Sequence, residues 1–168
     1  MQSIFWLFPI IFMLHEMEEI IGFKIWSDKN RDIVGKYRWL SMLYRNFSNE
    51  GFSAAILEEY LLCIIITGVS IFLKVYIVWI GAFIAFSLHL VVHIIQSIVV
   101  KRYIPALASS IILLPISIFF IIKVIDIFEY TLFNIAITSF VCTLTMLCNL
   151  IFVHKLMKWV TAGLKNSK

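Results

Sequence analysis

Three glutamates and a histidine crowd one short stretch of an otherwise apolar segment, His15-Glu16-Met17-Glu18-Glu19. On a helix His15, Glu18 and Glu19 fall at i, i+3 and i+4, on one face that Gly22 continues. A second apolar segment carries His89 and His93, also at i and i+4, with Gln96 on the same face. Imidazole nitrogens and carboxylate oxygens so paired suit Zn²⁺ and non-haem Fe or Mn. His15, Glu19, His93 and His89 are therefore the candidate metal ligands. Glu18 and Glu58 are the candidate general bases, acting on a bound water whose pKa the ion lowers. The first run also has the form of a zincin helix with Glu in place of the second His, which would make Glu16 the base. Against that version, Glu16 lies about 100° around the helix from the His15/Glu19 face.

The elements that carry these residues are set by composition. Of 168 residues, 62% are hydrophobic and 14% charged, and the mean hydropathy is +0.99. A soluble domain carries about 25% charged residues, and a small one leaves much of its surface in water. A bilayer must be the solvent. Cys63, Cys142 and Cys148 all lie in apolar stretches without a CxxC pair, so neither a disulfide framework nor a thiolate metal site is expected. The formal charge of +4 is explained by membrane topology, and no nucleic-acid partner is expected.

A crossing helix needs about 20 apolar residues. Five stretches qualify: Ser3–Gly22, Phe52–Phe72, Val75–Val100, Pro105–Ile122 and Tyr130–Trp159. The first lacks the basic leader and small-residue cleavage site of a signal peptide, and is read as a retained helix. Six Lys/Arg follow span one, two follow span three and four lie in the C-terminal tail, twelve of the 14 in all. With five spans these regions share one side, so the N-terminus is expected outside and the C-terminus in the cytoplasm. Between spans one and two, Tyr37, Leu40, Leu43, Tyr44 and Phe47 recur at helical spacing opposite Arg38, Ser41 and Arg45. That pattern predicts an amphipathic helix in the headgroup layer, either an anchor or a lid. The expected architecture is one all-α domain, residues 1–168, a five-span bundle in the cell membrane.

Spans that run in opposite directions place their polar residues at one depth. At 1.5 Å of rise per residue, most of these groups lie roughly 5–15 Å inside the cytoplasmic boundary. Ionisable groups in a span are costly and mark function by default. Structural alternatives exist for some. An HxxxH pair can simply hydrogen-bond to neighbours, Glu58 and Glu59 can serve as helix N-terminal charges, and His154 beside Lys155 suits the interface.

These residues also carry a resemblance. His15-Glu16-Met17-Glu18-Glu19 resembles the His-x-x-Glu-Glu signature of the HXXEE family of bacterial membrane proteins, whose function is uncharacterised. That family's Asn-Ala-x-x-His block falls on His89-Leu90-Val91-Val92-His93, followed by Gln96-Ser97 and Arg102-Tyr103-Ile104-Pro105. The resemblance runs from about Ile10 to about Pro115. His89 stands where the family has Asn and Leu90 where it has Ala, so His93 carries over as a family position and His89 does not. The resemblance implies a shared site in His15, Glu18, Glu19 and His93, and supplies no reaction.

The expected function is a membrane-embedded, metal-dependent enzyme of hydrolase or transferase type, using Zn²⁺ or non-haem Fe. Its substrate would be a membrane lipid or other lipophilic small molecule near the cytoplasmic leaflet. Arg102 could hold a phosphate or carboxylate headgroup there, although positive-inside anchoring also accounts for it. The alternatives are a proton- or cation-coupled transporter and a non-enzymatic accessory protein. Transport would need a homo-oligomer, because five spans show no inverted repeat.

Overall fold

The computed structural model describes residues 2–38, 40–41 and 48–166, and these residues contain helices and no strands. A 3₁₀ turn, Gln2–Ile4, leads into α1 (Leu7–Lys29), followed by a short α2 (Arg31–Lys36). Four long helices follow: α3 (Asn49–Phe72), α4 (Tyr76–Val100), α5 (Leu107–Phe128) and α6 (Leu132–Asn166). Helices α3 to α6 are each long and apolar enough to cross a membrane. At 23 residues α1 has the length of a span. It is not among those four, because Glu16, Glu18, Glu19, Lys24, Asp28 and Lys29 lower its hydropathy. Of the expected amphipathic helix, Leu43, Tyr44, Arg45 and Phe47 lie outside the described residues. Leu40 is buried in a small cluster with Trp26, Ile33, Val100 and Ile104.

Helix boundaries follow local chemistry. The Ser48 side chain accepts from the Gly51 N–H at 3.0 Å and starts α3, an N-cap ahead of the apolar run. Residues 73–75 turn the chain back at once, so α3 and α4 are antiparallel. α4 is the central element, with Trp79, Ile80, Phe83 and Leu90 fully enclosed and α5 and α6 packed along it. At Gly81 a Cβ would come within 3.0 Å of Cys142 Sγ and of the Thr138 carbonyl oxygen. Its absence lets α4 and α6 approach.

One seam positions the site. Trp79 donates its indole N–H to the Phe5 carbonyl at 2.9 Å. Further along, Phe8 meets Phe83, Phe12 meets Phe86 and His15 meets His89. Each pair is separated by 74 or 75 residues, so α1 and α4 run parallel in a constant register. Continuing it brings Glu19 to His93. The α3–α4 turn then makes α1 and α3 antiparallel, with Phe23 stacked on Phe52 at 5.4 Å between ring centres.

The link from α4 to α5, residues 101–106, folds back against α1. Lys101 and Ala106 take left-handed backbone angles there, φ 56° and 83°. The Trp26 indole donates to the Tyr103 carbonyl, and the buried Ile104 packs into the Trp26 cluster. Gly22 lets this link close down, since a Cβ on it would stand 3.1 Å from Pro105 Cβ.

Candidate metal centre

The constant register carries His15, His89 and His93 to one level. One ligand nitrogen from each lies within 4.8 Å of the other two. Ring centres are 4.4 Å apart for His89/His93, 5.1 Å for His15/His93 and 5.5 Å for His15/His89. His89 Nε2 and His93 Nε2 are 2.9 Å apart. Two carboxylates close the cluster: Glu19 Oε1 lies 3.3 Å from His93 Nε2, and Glu16 Oε1 lies 4.0 Å from His89 Nε2. His15, Glu16, Glu19 and His93 are all buried. Glu59 of α3 is half-buried.

Ser109 Oγ stands within hydrogen-bond distance of both the Ala106 carbonyl, at 3.2 Å, and His15 Nδ1, at 2.9 Å. In the tautomer that lets the hydroxyl donate to the carbonyl, its oxygen accepts the Nδ1–H of His15, and Nε2 keeps the lone pair. Nε2 is buried and has no hydrogen-bond partner among the described residues. Histidine metal ligands are held in this way, with the second ring nitrogen anchored to an acceptor.

Glu18 supplies the anchor for Ser109. Helix α5 begins at Ala106 without a side-chain cap of its own, and Glu18 fills that role from α1. Its Oε2 accepts from the Ser109 N–H at 2.6 Å, its Oε1 accepts from the Ala108 N–H at 3.3 Å, and Tyr103 donates its hydroxyl to Oε1. A carboxylate at a helix N-terminus satisfies free N–H groups and opposes the helix dipole. Burial, and the Glu18 carboxylate beside it, push the Tyr103 phenol up to about 12, which keeps it a donor. His15 and Glu18 thus converge on Ser109 from successive turns of one helix.

The structure brings together four of the residues expected from sequence, His15, Glu19, His89 and His93. It places Glu18 at the α5 terminus and Glu58 against α6, where Asn149 Nδ2 donates to Glu58 Oε2 at 3.0 Å. His154 bonds the Leu150 carbonyl of its own helix, and Arg102 meets Asn30 and Asp32. Sequence reasoning ranked Glu16 low, met Tyr103 only within the family block Arg102-Tyr103-Ile104-Pro105, and did not find Ser109. Ser109 carried a weak signal, as a hydroxyl residue in the first turn of an apolar span.

The model of the family described as a protein of unknown function with an HXXEE motif matches residues 6–120. This chain belongs to the HXXEE family. No curated protein and no solved structure matches it. The HXXEE region takes in α1 to α4 and most of α5. His15, His89, His93, Glu16, Glu18, Glu19, Glu59, Tyr103 and Ser109 therefore lie inside it. The Asn149 partner of Glu58 lies outside.

Proposed function

We propose that this protein is a membrane-embedded, metal-dependent enzyme of hydrolase or transferase type, acting on a lipophilic ester or phosphoester near the cytoplasmic leaflet. The observation that carries the reading is the convergence of three histidine nitrogens beside Glu19, with His15 Nε2 buried and unpartnered. His15, His89, His93 and Glu19 would hold one Zn²⁺ or Fe²⁺, a neutral-imidazole and carboxylate set that suits either. Such an ion would supply a bound water of lowered pKa as the nucleophile, and Glu16, whose Oε1 lies 4.0 Å from His89 Nε2, would accept and return the proton. Glu18 and Ser109 hold His15 in position.

Two features support a substrate drawn from the membrane. Trp26, Ile104 and Leu40 pack over the end of the bundle nearest the cluster. His89 keeps 27% of its side chain accessible, on the side of α4 where Leu88 and Val92 are exposed. In this reading α1 is a fifth span, because it runs in register with α4 and turns Ile10, Leu14, Ile21 and Ile25 outward. The side holding twelve of the 14 Lys/Arg is cytoplasmic by the positive-inside rule. The described start of the link between α1 and α3 lies on that side.

The test is metal content of detergent-purified protein supplied with Zn²⁺ and Fe²⁺, followed by lipid mass spectrometry in nanodiscs of phospholipid and isoprenoid phosphate. Bound metal that is lost in folded H15A and H93A, together with a lipid conversion that a chelator stops, is the expected result. Folded wild-type protein that takes up neither metal contradicts the reading. So does loaded protein that converts no lipid.

A further inference from the structure

Helix α6 covers α4 along only part of its length. In the first half of both helices, Thr138 and Cys142 stand against Gly81, and Ala85 one turn on is buried. Further along, α6 leaves α4 for α3. Asn149 reaches Glu58, Val153 and Met157 pack with Ala55, and Thr161 meets Ser48. Val92 and Val99 repeat the position of Ala85 at steps of two turns, yet both are exposed. The two helices therefore part beside the histidines and leave an apolar cleft.

Gln96 borders that cleft. It follows His89 by seven residues and His93 by three, so the three share one face of α4. Helical side chains lean toward the N-terminal end of their helix, which carries the Gln96 amide back toward His93. Gln96 is half-buried and makes no hydrogen bond among the described residues. The α1 residue in register with it is Gly22, which has no side chain to offer. An amide left unpaired in a span is costly, and this one offers a donor and an acceptor at the edge of the metal centre.

The cluster beside it is poor in cations. Glu19 and Glu16 flank the imidazoles at 3.3 and 4.0 Å, and among the described residues no lysine or arginine pairs with either. Arg102 is held by Asn30 and Asp32. A divalent ion would already be balanced by Glu19 and one hydroxide. A phosphate on the substrate would add negative charge with no guanidinium or ammonium to meet it. An uncharged ester needs only hydrogen-bonding groups.

We infer that the cleft between α4 and α6 admits an uncharged acyl-ester lipid of the diacylglycerol class. Its chains lie along Val92 and Val99, and an oxygen of its head bonds the Gln96 amide. The inference rests on the metal reading above for its reaction and stands apart from it for binding.

Native mass spectrometry of the metal-stripped full chain in detergent tests the binding, with dioleoylglycerol and dioleoylphosphatidic acid as probes. The two share acyl chains and differ in the charge of the head. One diacylglycerol should be retained per chain, about tenfold more weakly in Q96L and not at all in V92W, whose indole fills the cleft. Phosphatidic acid should bind only at the lysine- and arginine-rich end, equally in all three proteins. No retained diacylglycerol, or retention that neither substitution changes, overturns the cleft. Phosphatidic acid that V92W displaces overturns the uncharged head. Metal uptake by the same proteins keeps the two readings apart: lipid without metal sinks the enzyme and leaves the cleft, and metal without lipid does the opposite. Val92 is exposed, so V92W should fold, and the wild-type comparison of the two lipids stands even where Q96L does not.

Discussion

From Phe5 to Phe12, α1 meets α4 through aromatic rings: Phe5 on Trp79, Phe8 on Phe83 and Phe12 on Phe86. From His15 to Glu19 the same two helices, in the same register, meet through imidazoles and carboxylates. The two stretches have equal geometry and opposite chemistry. In a bilayer, close packing of apolar side chains is enough to associate helices, so the aromatic half needs no further reason. The ionisable half is costly at that depth, and continuing the aromatic ladder would have served packing as well. Their difference separates what holds the bundle from what the bundle holds. The aromatic half also fixes the register, so a site on the polar half is positioned before any ligand arrives.

Variants in the two halves should therefore fail differently. The largest effect on stability is expected from W79A, which opens a cavity and strips the Phe5 carbonyl of its donor. A loss of about 2–4 kcal/mol is expected, the packing share of a buried Trp→Ala change. Denaturation in detergent measures it, and metal binding by the folded fraction should persist. H93L should do the reverse, with stability unchanged or raised by about 1 kcal/mol and metal retention abolished. A stability loss as large as that of W79A would erase the distinction between the halves.

S109A leaves every proposed ligand in place and removes the acceptor for His15 Nδ1 together with the hydroxyl's bond to the Ala106 carbonyl. Metal affinity should fall about 10–100-fold, as read by competition with a chelating dye, and the buried Nδ1–H left without its acceptor should cost about 1–3 kcal/mol of stability. Unchanged affinity would show that Ser109 does not position His15. The smallest effect belongs to G22A. Its Cβ would press on Pro105, while alanine favours the helix by about 1 kcal/mol. The two nearly cancel, and the melting temperature should move by a few degrees at most.

Much of the bundle was legible in the sequence. The apolar runs at Phe52–Phe72 and Val75–Val100 coincide with α3 and α4 to within a few residues, because a span must satisfy its own backbone. The ends were less so. α5 runs on to Phe128 and α6 to Asn166, since helices continue past an apolar run wherever nothing caps them. At the site, i,i+4 spacing was enough to pair His89 with His93 and His15 with Glu19. Glu16 was ranked low because a single helical wheel gives α1 one inner face, whereas α3 and α4 both flank it. The surroundings of Glu59 depend on the α1/α3 register, which no local pattern encodes. The partners of Glu18 lie some 90 residues away, beyond the reach of any spacing rule.

X-ray absorption at the edge of the bound metal tests the central claim most directly. The polar half of the seam as a metal centre predicts two to three imidazole ligands at about 2.0–2.1 Å, with their multiple-scattering signature reduced in H15A and H93A. A spectrum with no imidazole scattering, or one that neither substitution alters, would contradict it.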